Sequence, residues 1–446
     1  MNRFKFLAFF IAILTLLLAS PLALGVDSNS GLPADKIESR ASAQGSPLDL
    51  DNAIRLALEK SPYFVQSALE IDVRRLDESD SRYAFIPTFA VQTRYYISPP
   101  FQSGNGFRGA VLEFRTGDYN PAEAYFSLKI RKLLTQLAIL AHKETIDAGI
   151  LQLAQTFIKL GTLERLEENL NQIAELMRQK TALAKERLAL GTASPAELKL
   201  AAQEEALVKA ESDHLTGLKT STVETLKVYL GLTPDEPVDV ISQAGSQQAL
   251  GEFKPETASE DRFLSRAFAL QMQAIKEKLQ EWQIILAYAS FAPTLTFGLR
   301  NPVLEENRGY YVEMVLTLPI WEGNKRIHEI SREKIRKRQL LAETRLKKDD
   351  LKLEWQAAVN RLQEAASALD LARRAEELAE LKVAEEAVLY QSKGNLSPLI
   401  EARVALLRAR QKRENLLQDY NLAALEIRHL TGDLFDHYVS VADRQE

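Results

Sequence analysis

Residues able to do covalent or metal chemistry are few in this 446-residue chain, and they are spaced badly for it. Cysteine is absent. That excludes thiol nucleophiles, thiolate-held zinc, iron–sulfur clusters and disulfides. The histidines are His142, His214, His328, His429 and His437. No two stand three or four apart, so no helix face offers a pair of imidazole ligands. No nucleophile–base pair, glycine-rich phosphate loop or ligand cluster stands out, and the expectation is a protein with no cofactor and no metal that is not an enzyme. What does recur is a turn. Gly191-x-x-Ser194-Pro195 and Gly394-x-x-Ser397-Pro398 lie 203 residues apart. Glycine reverses a helix end through the left-handed region, and proline opens a return helix without losing a needed donor. Ser194 and Glu197 form a capping-box pattern. The position equivalent to Glu197 in the second turn is Ile400, with Glu401 one residue on.

The turns require long helices to carry them. Residues 132–190 hold no proline, and Ile146, Ile150, Leu153, Phe157, Leu160, Leu163, Leu166, Leu170 and Ile173 follow one another in steps of three or four. That is a coiled-coil seam. Such a run is roughly 90 Å long at 1.5 Å per residue. A second helix follows Ser194-Pro195 to about Leu230. Residues 324–392 repeat the pattern, and Leu416, Tyr420, Ala423, Ile427 and Leu430 carry a seam on the return toward Thr431-Gly432. The chain is an internal duplication, with repeats at 48–231 and 263–432, a linker at 232–262 rich in Pro, Gly, Ser and acids, and a polar tail at 433–446.

Ahead of each long helix the period changes from 3.6 to 2. Residues 88–98 and 294–301 alternate, with Phe89, Val91 and Phe297 on one side and Arg94 and Arg300 at matching positions on the other. The partner strands are expected at about 122–131, with Phe126 and Leu128 on the apolar side, and at 310–318, with Met314 opposite Glu313. Gly109 to Arg115 is an alternative for the first partner. Alternation of this length suits a tilted membrane strand. Phe89, Val91, Phe126, Leu128, Phe297 and Met314 then face lipid. Arg94, Arg300 and Glu313 line a lumen, although the arginines could also snorkel at a rim. Four strands cannot close a membrane barrel, and open edges are forbidden in lipid, so the chain must oligomerise; three copies supply twelve strands and two supply eight.

Composition agrees. With 46% hydrophobic and 26% charged residues the chain is too apolar for wholesale disorder. Arg3 and Lys5, the apolar run Leu7 to Ala19 and Ala23-Leu24-Gly25 read as a cleaved signal peptide over 1–25, followed by a linker at 26–47. No cysteine follows to carry a lipid anchor. The formal charge is −5, and the signal takes two cations with it, which argues against nucleic acid as a partner.

In order and detail the chain resembles the TolC-type outer-membrane efflux protein family. The residues that carry the resemblance are Leu48-Asp49-Leu50-Asp51-Asn52-Ala53-Ile54, Ser61-Pro62, Phe85-Ile86-Pro87, Leu318-Pro319-Ile320-Trp321-Glu322-Gly323-Asn324, Gly394-Asn395-Leu396-Ser397-Pro398-Leu399-Ile400, and the run from Ala409 through Tyr420 to Gly432. It covers roughly 48–434. The resemblance implies a mainly α fold with a small β part: a homotrimer closing a twelve-stranded barrel in the outer membrane of a Gram-negative bacterium, above an α-helical barrel that puts most of the mass in the periplasm. It implies an exit duct for an inner-membrane transporter, joined through a periplasmic adaptor at Gly191, Ser194, Pro195, Glu197, Gly394, Ser397, Pro398 and Glu401. The family often carries an acid six residues after the turn glycine; Glu197 fits this and Ile400 departs from it. The alternative reading is a periplasmic coiled-coil adaptor or a structural protein. An adaptor normally has one hairpin flanked by β-domains, which the duplication does not match.

Overall fold

The computed structural model describes residues 48–86, 88–97, 107–238, 259–302, 311–318 and 323–443. The expected signal peptide, the linker at 26–47 and most of the linker at 232–262 lie outside them. The first half runs α1 (Leu50–Lys60), α2 (Pro62–Tyr83), β1 (Phe89–Ile97), β2 (Phe107–Thr116), α3 (Pro121–Ala189) and α4 (Pro195–Leu230). The second runs α5 (Glu260–Arg266), α6 (Phe268–Ala289), β3 (Thr294–Pro302), β4 (Tyr311–Thr317), α7 (Lys325–Lys393), α8 (Leu396–Leu430) and α9 (Asp433–Asp443).

Local signals set the boundaries. The Asp49 carboxylate accepts from the Asn52 N–H at 2.9 Å and starts α1. Ser61 breaks the helix and Pro62 takes the first position of α2. The two long helices are 69 residues each, or about 100 Å. The strands pair antiparallel in the order β1-β2-β3-β4. Because α2 and α6 lead into strands and α3 and α7 lead out of them, the sheet sits at one end of the helices and the Gly191 and Gly394 turns at the other.

The principal core forms around the middle of α3. Ile150, Leu153, Phe157, Ile158 and Leu160 pack against Leu50, Ile54 and Ala57 of α1, Leu226 and Leu230 of α4 and Leu425 of α8. Apart from Ile158, the α3 residues here are seam positions, so that spacing became burial as expected; Leu163 and Leu166 are only half-buried. Lower down, Leu170, Ile173 and Met177 meet Val208 and Leu407. Phe263 of α5 stacks on Trp355 of α7 at 5.6 Å.

Three expectations need correction. Residues 122–131 are helical, and the first partner strand is β2, the alternative centred on Gly109 to Arg115. The Asn120 side chain accepts from the Ala122 and Glu123 N–H groups, and Pro121 fixes the first turn, so α3 begins about ten residues early. Phe126 and Leu128 therefore do not lie on a strand; Phe126 packs on Trp282 of α6 with ring centroids 5.8 Å apart. The linker ends at Ser259, whose hydroxyl caps α5. The tail is not simply polar decoration, because Leu434 and Tyr438 of α9 are buried in the principal core. Asp433 and Asp436 hold α9 to Arg262 and Arg266 of α5.

Candidate functional site

Two regions carry the functional expectations, the sheet and the turns. In the sheet, cross-strand partners share a face. Gln92, Glu113, Arg300 and Tyr311 form one row across all four strands, and Ala90, Arg115, Gly298 and Glu313 form the next. Arg94 stands at the same-face position two residues beyond Gln92. The register thus gathers Arg94, Arg300 and Glu313 on one polar face. The opposite face holds the row Val91, Phe114, Leu299 and Val312 and the pair Phe297 and Met314, with Phe89 at a register position on that side. Val91, Val312, Met314 and Leu316 are 60%, 82%, 66% and 59% exposed. An apolar face this bare has no partner among the described residues, and β1 and β4 are the two edge strands of the sheet. Thr296 lies on the polar face yet is buried, where its hydroxyl donates to Asp118 Oδ1 at 2.8 Å.

At the far end, Gly191 and Gly394 both adopt left-handed φ, 70° and 71°. In the first turn the Ser194 hydroxyl caps the Glu197 N–H, Pro195 opens α4, and the Glu197 carboxylate pairs with Arg187 at 2.7 Å. The second turn is capped differently. Asn395, not Ser397, is the cap: its side chain accepts from the Ser397 N–H. Ser397 and Pro398 therefore sit inside the first turn of α8, where proline's missing donor is still no loss. Ile400 is buried and faces the packing between helices. Glu401 points instead to Lys180 of α3, at 3.2 Å, and Lys180 also binds Glu204 of α4 at 2.8 Å. Partial burial alone lowers the Lys180 pKa, but the hydrogen bonds and charges of the two glutamates outweigh it and hold the ammonium above its ordinary value. One cation thus ties the two hairpins together near their turns.

Sequence reading missed Lys180, because its two carboxylates are brought together only by the packing of α4 and α8 against α3. It also missed the network in which Glu414 binds Arg165 and Arg413 while Glu376 binds Arg410 and Arg413, joining α3, α7 and α8. An open groove of about 820 Å³ lies between α3 and the second hairpin, lined by Glu164, Glu167, Glu168, Glu175, Arg403 and Arg410. Among the described residues no three histidines or carboxylates converge as metal ligands. No described helix is long and apolar enough to cross a membrane.

Duplicated hairpins of this length, with a two-faced sheet at one end, define the class: the chain has the fold of the outer-membrane channel proteins. The likeness extends over most of its length. It matches VceC, an outer-membrane protein of Vibrio cholerae, with a TM-score of 0.69 at 15% identity over 86% of this chain and 96% of that one. CusC, a protein that forms a transmembrane channel, matches with a TM-score of 0.73 at 13% identity over 88% and 95%. The open-state MtrE outer-membrane channel of Neisseria gonorrhoeae matches with a TM-score of 0.68 at 14% identity over 86% and 89%. No protein-family model matches this sequence, and no curated protein does.

Proposed function

We propose that this protein is the outer-membrane exit duct of a tripartite efflux or secretion system, working as a homotrimer. The observation that carries the reading is the sheet: a bare apolar face, a polar reverse face and two open edges, set at one end of helices about 100 Å long. In lipid such edges must pair, and β4 of one copy against β1 of the next closes twelve strands with Arg94, Arg300 and Glu313 inward. Exposed Leu346, Leu353, Leu371 and Leu378 run down α7 and supply an apolar stripe for a neighbouring copy. The helices then reach through the periplasm, and the turns around Gly191, Ser194, Pro195, Glu197, Gly394, Ser397, Pro398 and Glu401 meet the periplasmic adaptor and, through it, an inner-membrane transporter. Such neighbouring channels give the reading its fold precedent.

The test has two arms. Fractionation and native mass spectrometry in mild detergent should find a trimer in the outer membrane that resists mild washing. Export of a fluorescent substrate, lost in a deletion strain, should return with the wild-type chain. Glu197→Lys should keep trimer abundance and lower export. A folded, strand-rich monomer, or release by washing as for a periplasmic adaptor, overturns the reading.

A further inference from the structure

The junction between helices and sheet carries a feature that a duct alone does not require. Three cation–π contacts occur among the described residues, and all three are there. Lys129 Nζ lies 5.4 Å from the Tyr125 ring centroid at the start of α3. The Arg326 guanidinium lies 5.6 Å from the Phe291 ring, and Lys334 Nζ lies 5.5 Å from the Tyr288 ring, joining the start of α7 to the end of α6. The rings are not core residues, since Tyr125, Tyr288 and Phe291 are all exposed. Amphipathic tyrosine rings such as Tyr125 and Tyr288 beside long cationic side chains are what a boundary between hydrocarbon and water selects.

Charge singles out the same place. In a chain of formal charge −5, the fourteen residues from Lys325 to Arg338 hold seven Lys and Arg against Glu329 and Glu333. Arg336 pairs with Glu333 and Lys337 with Glu281. Lys325, Arg332, Lys334 and Arg338 are exposed and have no carboxylate partner among the described residues. Side chains on a helix lean toward its N-terminus, and the N-terminus of α7 is the end that meets the sheet, so these cations lean toward the sheet.

We propose that this collar binds the anionic headgroups of the phospholipid leaflet on the helical side of the sheet. The inference rests on the exit-duct reading, because it needs the sheet in a bilayer. The apolar sheet face ends where the collar begins, so a lipid with its chains against Phe297 and Met314 has its phosphate near Lys325, and the remaining cations follow over about 20 Å of α7. The rings of Tyr288 and Phe291 fix the depth, and Lys325, Arg332, Lys334 and Arg338 supply the attraction. A juxtamembrane cation strengthens binding to an anionic surface by about fivefold.

The test uses the full chain in nanodiscs of equal parts phosphatidylglycerol and phosphatidylcholine, with lipids retained on the released protein counted by native mass spectrometry. The wild type should retain phosphatidylglycerol preferentially. A variant combining Lys325→Gln, Arg332→Gln, Lys334→Gln and Arg338→Gln should lose at least tenfold of that preference. A control combining Lys185→Gln, Lys199→Gln, Lys209→Gln and Arg373→Gln, four exposed cations distant from the sheet, should keep it. Inserted trimers that retain the two lipids equally overturn the proposal and leave the duct reading standing. A collar variant that inserts but no longer trimerises assigns the cations to the contact between copies, and also overturns it. A wild-type chain that never inserts overturns the duct reading itself.

Discussion

Gly231 and Gly394 separate two costs that usually arrive together. Both end long helices in the left-handed region, with φ of 70° and 71°. Alanine at either position puts a Cβ against its own following carbonyl, at about 1–2 kcal/mol. At Gly394 that is the whole cost, because nothing lies within 4 Å of the added carbon. At Gly231 the new carbon overlaps the Lys60 carbonyl and lies 3.3 Å from Pro62 Cδ, at the break between α1 and α2. Moving that backbone strains a core containing Leu50, Ile54 and Leu230, and overpacking of this kind costs about 1–3 kcal/mol more. Gly394→Ala should therefore destabilise by about 1–2 kcal/mol and Gly231→Ala by about 2–5 kcal/mol. Urea midpoints of the purified protein in detergent, followed by helical circular dichroism, compare the two directly. Limited proteolysis near Lys60 should also rise for Gly231→Ala alone. Equal midpoint shifts, or a larger shift for Gly394→Ala, refute the close-approach argument.

Met314→Arg should impair membrane insertion by about 2–4 kcal/mol if the residue meets the midplane of the bilayer, whereas Glu313→Gln, on the opposite face, should insert normally; heat-modifiable mobility on gels reads both, and similar behaviour refutes the face assignment. A double-mutant cycle with Lys180→Met and Glu401→Gln should give a coupling of up to about 1 kcal/mol, since Glu401 is largely exposed; no measurable coupling in urea unfolding shows that this cation does not tie the hairpins. Burial lowers the pKa of His142, which lies 2.7 Å from the Ser67 hydroxyl between α2 and α3. The folded protein thus holds the neutral ring more strongly than the unfolded chain does, so stability is full above the ordinary value of 6.5 and falls as pH drops below it. His142→Gln should flatten that acid limb of the urea midpoint against pH, and an unchanged slope assigns the loss to other groups.

Much of the architecture was legible because it repeats and because burial follows period. The α3 seam reappears as the core around Phe157, and the alternation of Phe297 with Thr296 and of Met314 with Glu313 reappears as two faces. Period failed where a stronger local signal was overlooked. Ala124, Phe126, Leu128 and Ile130 alternate, yet Asn120-Pro121-x-Glu123 is a helix start, and capping decided the outcome. At the second turn the return helix starts ahead of Ser397-Pro398, because Asn395 caps it. Leu434 and Tyr438, four apart, were the sign that the tail folds back as a helix. Contacts between distant segments, such as Lys180 with Glu401 or Tyr288 with Lys334, leave no local pattern to read.

The two long helices are identical in length at 69 residues, and their return helices run to 36 and 35. That equality restricts how such a molecule can change size over generations. One inserted residue in α3 alone rotates everything beyond it by about 100° and slides it 1.5 Å, which takes Ile173 and Met177 off Val208 and Leu407 and pulls Lys180 away from Glu401. Seven inserted residues nearly restore the angle, with a drift of about 20°, but leave one turn about 10 Å beyond the other. Only matched additions of whole heptads, in outgoing and returning helices and in both halves, keep the seams and the two turns level. The span from sheet to turns is therefore quantised, and natural variation in this gene should appear as paired heptad gains or losses, with single-residue insertions confined to the strand loops and the linker between the halves.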